Sequence, residues 1–279
     1  MKYENHLKTA ILASIEAGQE ILTIYQDDIK VDYKKDNSPL TLADKAAHKI
    51  IVNRLEDFGI PVLSEEGKHT SYKERKKWNR LWIVDPLDGT KEFIKKNGEF
   101  TVNIALIENN TPILGVVFAP DREKFYFAIQ DLGAYKIDDF QLIQRVYKGI
   151  CDGSLTMEEL ISESTKLPVD KPAEIPYTIV GSRSHATPEL EQFVEKKRRE
   201  FKQVDFIPAG SSLKICLVAE GKADIYPRLG PTMEWDTAAG HAIAQYSGAE
   251  ILIYESGEPM VYNKEDLLNP WFIVARKQS

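Results

Sequence analysis

Two carboxylates and a hydroxyl group follow directly after an apolar run. In the sequence Trp-Ile-Val-Asp-Pro-Leu-Asp-Gly-Thr at residues 82–90, Pro86 fixes its own φ angle and Gly89 can take φ values closed to most residues. A tight turn here would direct the oxygens of Asp85 and Asp88 toward one point. Such oxygens are the ligands that Mg²⁺ prefers. An ordinary type I turn, in which the Asp side chains cap local N–H groups, explains the same residues equally well.

Further acidic residues lie at two other places where apolar runs meet loops. Glu65 and Glu66 follow an apolar run and precede a glycine, an arrangement that more often forms a solvated loop. Asp236 precedes a helix-like run at 237–247, where Asp is a common N-cap. A carboxylate at a helix start can also bind a metal while free backbone N–H groups receive a phosphate oxygen. Each acidic segment taken alone is therefore ambiguous.

The three acidic segments together resemble the signatures of the inositol monophosphatase superfamily, in the same order and at comparable spacing. They are Ser-Glu-Glu at 64–66, Asp-Pro-Leu-Asp-Gly-Thr at 85–90 and Trp-Asp-Thr-Ala-Ala-Gly at 235–240. The resemblance implies a magnesium-dependent phosphomonoesterase with two or three Mg²⁺ ions, for which Li⁺ would be an inhibitor. The implied metal ligands are Glu65, Asp85, Asp88, Asp236 and the main-chain carbonyl of Leu87.

The resemblance also implies which residues act on the attacking water. Thr90 and Asp44 match the positions that orient and deprotonate this water, and Glu65 belongs to the metal site that activates it. From the residues alone, Asp44 is better explained by a capping box with Thr41 at the start of the second helix. Both roles are compatible if the helix start faces the metals.

Four further segments resemble the bisphosphate nucleotidase branch of the superfamily; they lie at 34–44, 181–185, 210–214 and 225–236. The implied reaction removes the 3′-phosphate of adenosine 3′,5′-bisphosphate to give AMP and phosphate, a step that serves sulfate assimilation. Lone Lys and His residues in loops are usually only solvated. By the resemblance, the substrate-binding residues are Asp88, Gly89, Thr90, Ser182, His185, Gly210, Lys214, Arg228 and Asp236.

Two other functions fit the same residues. An inositol or sugar monophosphatase would use the same metal site on a different substrate. A non-catalytic regulator would keep the nucleotide pocket and lack turnover. Thr90 and Asp44 count against a regulator, because they are useful for activating water and unnecessary for binding.

Hydrophobic periodicity predicts the elements that position these residues. Helical spacing predicts a first helix over about 7–25 and a second from about Thr41 to Gly59. Alternation over 100–106 predicts a strand with one buried face, and further strand-like runs to residue 137 favour an antiparallel meander.

Beyond the meander, the segment 147–176 has weak periodicity and is interpreted as a surface excursion. After it, strand-like and helix-like runs alternate, which favours a layered α/β half with partly parallel pairing. The family resemblance implies an α/β (α+β) fold, a layered α-β-α-β-α sandwich. Its halves would be residues 1–146, with the antiparallel sheet and metal-binding turn, and residues 147–279, with the nucleotide pocket, packed tightly enough to count as one domain.

Composition narrows the class of partner. Asp and Glu number 43 against 36 Lys and Arg, so a net charge of −7 provides no global positive field for nucleic acid. Cys151 and Cys216 are too few and too far apart for a disulfide framework. The charged N-terminus lacks the apolar stretch of a signal peptide, and no segment is long and apolar enough to span a membrane. We therefore expect a cytoplasmic enzyme for a small nucleotide, without membrane association, as a monomer or homodimer.

Overall fold

The structure is a computed structural model that describes residues 2–26, 39–169, 176–182 and 187–276. Within these ranges, the helices are α1 (Glu4–Gln26), α2 (Pro39–Leu55), α3 (Tyr72–Arg75), α4 (Thr90–Ile94), α5 (Phe140–Cys151), α6 (Met157–Glu163), α7 (Pro188–Glu200), α8 (Leu213–Glu220) and α9 (Glu234–Tyr246). The strands are β1 (Val62–Ser64), β2 (Arg80–Asp88), β3 (Thr101–Glu108), β4 (Thr111–Ala119), β5 (Lys124–Ile129), β6 (Gly133–Ile137), β7 (Thr165–Leu167), β8 (Tyr177–Ser182), β9 (Val204–Ala209), β10 (Ile225–Arg228), β11 (Ala249–Ile253) and β12 (Phe272–Arg276).

The first sheet has seven strands in sequential order from β1 to β7. Strands β1 and β2 pair in parallel, and every later neighbour pairs antiparallel, so the predicted meander is confirmed. Helices α1 and α2 pack together against one face of this sheet, and α9 packs against the strands of the sheet from the other side.

The second sheet has five strands in the order β11-β12-β10-β8-β9. Strand β8 pairs in parallel with β9 and β10, whereas β12 runs antiparallel to β10 and β11. Helix α8 contacts α9 and the second sheet, and α7 contacts β10. The layers are therefore helices, sheet, helices, sheet and helix, which confirms the predicted α-β-α-β-α sandwich and the partly parallel pairing of its second half.

Strand β3 is buried on both faces, which corrects the expectation of one buried face. Its residues Val102 and Ile104 belong to the core shared with α1 and α2. The alternate residues Ala105 and Ile107 belong to the core shared with α8 and α9. The second face is covered because α9 lies over it, a contact between distant parts of the chain that local alternation does not report.

The second helix begins two residues before the predicted start. It runs from Pro39 to Leu55, and proline is well tolerated in a first helical turn because its missing N–H has no partner there. A short 3₁₀ turn at Glu56–Phe58 follows, and the chain leaves it at Gly59, which has a φ of 59°. The predicted stop at Gly59 is confirmed.

The interpretation of 147–176 as a surface excursion is wrong for its first part. Helix α5 continues to Cys151, α6 follows, and β7 adds an edge strand to the first sheet. The buried side chains of Ile143 and Val146 belong to a helix that the proposed boundary between residues 146 and 147 would cut. Thr156 and Glu159 form a capping box at the start of α6, and this pair is the local signal for the helix. The division into two halves stays a prediction, and a boundary after Leu167 fits the sheet better.

Both cysteines are free: Cys151 is exposed at the end of α5, and Cys216 is buried in α8. In the described parts of the chain, no helix combines the length and the apolar character needed to cross a membrane.

Candidate active site

A cleft of about 250 Å³ lies where the end of β2, the N-termini of α8 and α9 and the second sheet meet. Two predicted residues do not line it: Asp44, on α2, and Gly210, in the loop before α8. His185 lies outside the described residues. The predicted residues that line the cleft are Glu65, Asp85, Leu87, Asp88, Gly89, Thr90, Ser182, Lys214, Arg228 and Asp236.

An irregularity in β2 places two carboxylates on the same side. Asp85 pairs with Asn103 and Asp88 pairs with Thr101, so one extra residue of β2 is accommodated opposite β3. Residues three apart on a regular strand point to opposite faces, and a bulge re-aims them. The strand therefore continues through Asp88, which corrects the prediction that it ends before a tight turn at Asp85. Gly89, with a φ of 98°, then leads into α4.

Three carboxylates converge in this cleft. Oxygen atoms of Asp85, Asp88 and Asp236 all lie within 4.8 Å of one another. Glu65 is held beside this group, because its N–H donates to the carbonyl of Val84 at 3.2 Å. A compact set of carboxylate oxygens is the donor chemistry that suits Mg²⁺, so the residues present fit such an ion.

Asp236 is the third residue of α9, which begins at Glu234 rather than at 237. Its Oδ2 accepts a hydrogen bond from the N–H of Met233 at 2.9 Å. The predicted N-cap, Asp236, is therefore three positions too late, because the N-cap of α9 is Met233. The side chain still caps the helix start, but it does so by reaching back from the first turn.

Burial makes the three carboxylates hard to ionise. The pKa of Asp85 is raised well above its usual range by burial and then by the charges of Asp88 and Glu65. Burial and then Asp88 raise the pKa of Asp236 to about 7. Burial also raises the pKa of Asp88, although Lys214 opposes this. A group of mutually repelling buried acids is stabilised by a bound cation, and such clusters are typical of functional sites.

Asp44 lies inside α2, so the alternative capping box with Thr41 as N-cap does not fit a helix that begins at Pro39. Its Oδ1 is buried and has no hydrogen-bond partner among the described residues. Burial, followed by the charges of Glu66 and Glu65, raises the pKa of Asp44 to about 8. Asp44 is thus electrostatically part of the acidic site although it does not line the cleft.

The N-terminus of α8 meets the carboxylate group directly. The N–H of Ser212 donates to Oδ2 of Asp88 at 2.6 Å, and its hydroxyl donates to Oδ1 of Asn103 at 2.8 Å. Sequence reasoning missed both Ser212 and Asn103 as parts of the site. The only available signal was that Ser212 belongs to the 210–214 motif, because its partner Asp88 is 124 residues away.

Lys214 is buried, unlike the solvated loop lysine that was the alternative interpretation. Its Nζ donates to the carbonyl of Ser211 at 2.6 Å. Burial lowers the pKa of Lys214 to about 8, and the charge of Asp88 works in the opposite direction. The ammonium group therefore lines the cleft close to the acidic cluster.

Three other predicted residues come from the second half of the chain. Ser182 ends β8, and Arg228 ends β10 with an Nη2 that donates to the carbonyl of Pro231 at 2.7 Å. The N–H of Gly210 donates to the carboxylate of Glu99 at 2.8 Å. A Cβ atom at position 210 would lie 2.5 Å from Cγ of Glu92, so this loop needs glycine to pack against the first half.

Comparison with known proteins gives relatives that align over nearly their full length. A protein of Shigella flexneri named 3′(2′),5′-bisphosphate nucleotidase CysQ is 43% identical over 264 residues, which cover 93% of this chain and 95% of the relative. The protein of the same name from Escherichia coli strain K12 is 42% identical over the same shares.

Solved structures agree with the fold. The crystal structure of CysQ from Bacteroides thetaiotaomicron is 50% identical, covers 99% of each chain and superposes with a TM-score of 0.92. An inositol monophosphatase from Zymomonas mobilis shares the fold at 21% identity and a TM-score of 0.72. The model of the Inositol monophosphatase family matches residues 2–277, and with these relatives it shows that the chain belongs to that family.

Proposed function

We propose that this protein is a metal-dependent 3′(2′),5′-bisphosphate nucleotidase that hydrolyses the 3′-phosphate of adenosine 3′,5′-bisphosphate to AMP and phosphate. The observation that carries the proposal is the cluster of Asp85, Asp88 and Asp236, whose oxygens lie within 4.8 Å of one another. The nucleotidase name of relatives that are 42% and 43% identical supports the substrate.

Asp85, Asp88, Asp236 and Glu65 would hold Mg²⁺, with the carbonyl of Leu87 as a further ligand. When bound, Mg²⁺ ions would neutralise the phosphate dianion, lower the pKa of a water and stabilise the departing oxygen. The bulge in β2 serves this arrangement, because it directs both of its carboxylates into the cleft.

Asp44 and Thr90 would act on the attacking water. The raised pKa of Asp44 makes its carboxylate a stronger base once ionised, and Oδ1 has no donor among the described residues. Thr90 begins α4 and lines the cleft, where its hydroxyl can hold the water in line with the phosphorus atom.

The nucleoside and the retained 5′-phosphate would be bound from the second half of the chain. Arg228 lines the cleft, and its Nε has no hydrogen-bond partner in the described ranges. Guanidinium groups bind phosphate in a bidentate manner, so Arg228 is suited to the 5′-phosphate. Ser182, His185, Gly210 and Lys214 complete the proposed nucleotide contacts.

A substrate panel tests this function against an inositol or sugar monophosphatase. We expect the highest kcat/KM on adenosine 3′,5′-bisphosphate, compared with inositol 1-phosphate and fructose 1,6-bisphosphate, and loss of phosphate release in EDTA. A preference for either sugar phosphate would contradict the proposed substrate. Nucleotide binding without metal-dependent phosphate release would instead identify a regulator.

Lithium gives a second test. Li⁺ resembles Mg²⁺ in size and carries one charge, so in a Mg²⁺ position it would stabilise the phosphate less well. We expect millimolar or lower Li⁺ to inhibit phosphate release. Full activity in excess Li⁺ at limiting Mg²⁺ would show that the metal site differs from the one proposed.

A further inference from the structure

A buried glutamate lies two residues before Asp236 and does not line the cleft. The side chain of Glu234 is 0% exposed. Its Oε2 accepts from the N–H of Asn263 at 2.6 Å, and its Oε1 accepts from the N–H of Lys264 at 2.9 Å and from Nζ of the same lysine at 2.6 Å. One carboxylate therefore holds a distant segment by three donors.

The same segment holds the backbone at the start of α9. The N–H of Glu234 donates to the carbonyl of Leu267 at 3.0 Å. Nδ2 of Asn269 donates to the carbonyl of Met233 at 2.7 Å, the carbonyl that also accepts from the N–H of Asp236 at 3.2 Å. The first turn of α9, with Asp236 on it, is thus fixed against residues 263–269.

A buried arginine in α3 also holds this segment. Arg75, in α3, donates from Nη1 to Oδ1 of Asn263 at 2.8 Å and to the carbonyl of Lys264 at 3.0 Å. Nδ2 of Asn263 donates back to the carbonyl of Arg75 at 2.8 Å. Residues 263–265 consequently join α3 to the first turn of α9.

We propose that Glu234 is a positioning residue: through residues 263–269 it fixes where the first turn of α9 places Asp236, and so sets the affinity for Mg²⁺. The inference rests on the proposed metal site. Buried networks in which every polar group is satisfied are rigid, and a buried group that loses its partner costs the full desolvation energy. Partners outside the ligand set typically change metal affinity by about 10–100-fold when mutated.

The chain offers a matched control. The side chain of Glu220 is also 0% exposed and also accepts three donors: the hydroxyl of Tyr126 at 2.6 Å, Nζ of Lys136 at 3.0 Å and Nζ of Lys222 at 2.6 Å. It ends α8, away from the acidic cluster. Glu220→Gln therefore reports what the loss of a buried charge does to stability without touching the start of α9.

The experiment titrates the metal-free protein with Mg²⁺ by calorimetry and measures Tm for each variant. We expect Glu234→Gln to raise the Kd for Mg²⁺ by about 10-fold or more. Glu220→Gln should keep the wild-type Kd, while Tm falls in both. A wild-type Kd in Glu234→Gln, or an equal rise in both variants, would overturn the positioning role.

Asp236→Asn separates this inference from the metal site on which it rests. If Asp236→Asn binds Mg²⁺ as the wild type does, the proposed metal site fails; if it weakens binding and Glu234→Gln does not, only the positioning role fails. Should Glu234→Gln not fold, Lys264→Met removes one donor from a side chain that is 24% exposed. Weaker Mg²⁺ binding in that variant supports the proposal, and unchanged binding refutes it.

Discussion

The pKa values of buried acids are shifted in opposite directions at the two ends of α8. At its C-terminal end, burial acts to raise the pKa of Glu220, but hydrogen bonds from Lys222 and Tyr126 outweigh it and the pKa is lowered. Beyond its N-terminal end, burial and neighbouring carboxylates raise the pKa of Asp85 and Asp236. Both groups are removed from solvent, so the difference comes from the partners.

The comparison distinguishes structural charges from functional ones. Glu220 has its cations within the chain, and the resulting network joins α8 to β5 and β6. Among the described residues, the cluster has Lys214 beside Asp88 and Arg228 acting on Asp236, against several carboxylates, which leaves an excess of negative charge. Such an excess is tolerable when cations are supplied from outside, and it is the physical basis for the metal binding proposed at this end of α8.

Asp88→Asn is the substitution for which we expect the largest loss of activity. This carboxylate is central to the proposed metal group. Phosphate release should therefore fall by at least about 100-fold, which is the largest loss usually seen when a residue that only contacts a metal ligand is mutated. The metal-free variant should stay folded, because an asparagine oxygen can still accept from Ser212. Near-normal turnover, with Glu220→Gln as the control, would refute the assignment of the metal site to this cluster.

Lys214→Ala tests the role of the lysine beside Asp88. If Lys214 binds the nucleotide, the loss in kcat/KM for adenosine 3′,5′-bisphosphate should correspond to about 1.5–3 kcal/mol, the range for a hydrogen bond to a charged group. Hydrolysis of p-nitrophenyl phosphate should then change much less. Equal losses on both substrates would assign Lys214 to the acidic cluster and contradict a nucleotide contact.

A smaller effect is expected from Thr90→Ala, which leaves all carboxylates in place. Because its proposed partner is the water, kcat should fall about 10-fold, somewhat less than the usual contribution of a general acid or base. The Mg²⁺ concentration for half-maximal activity should stay the same. A parallel change in both quantities would place Thr90 in the metal site instead.

The smallest expected effect is the change with pH in the thermal stability of the metal-free protein. Asp236 and Asp44 have folded-state pKa values of about 7 and about 8 against an ordinary value of 3.8. Raised pKa values stabilise the folded state fully below the unfolded pKa, and this contribution is lost as pH rises through the folded pKa.

In EDTA, Tm should therefore fall by at least a few degrees between about pH 4 and about pH 8, and Mg²⁺ should reverse the fall because it binds the ionised carboxylates. Thermal unfolding followed by circular dichroism measures this. A metal-free Tm that rises across the same interval would contradict the electrostatic difference between the two ends of α8.

Much of the fold was predictable because its signals are local. The period of apolar residues located α1 and the meander, and the stop of the second helix followed from Gly59. The predictions that failed also relied on local signals. Weak periodicity after residue 147 concealed α6 and β7, because short elements at the edge of a sheet carry few buried side chains.

The sequence by itself identified the candidate acidic residues, their order and most element positions. It could do so because turn chemistry and hydrophobic period depend on neighbours a few residues away. The tertiary structure alone decided that the N–H of Ser212 meets Asp88 and that Glu234 is held by Lys264. It also decided which acids are paired and which repel one another. Burial and charge depend on contacts between distant parts of the chain, and a pKa is set by that surrounding rather than by the residue type.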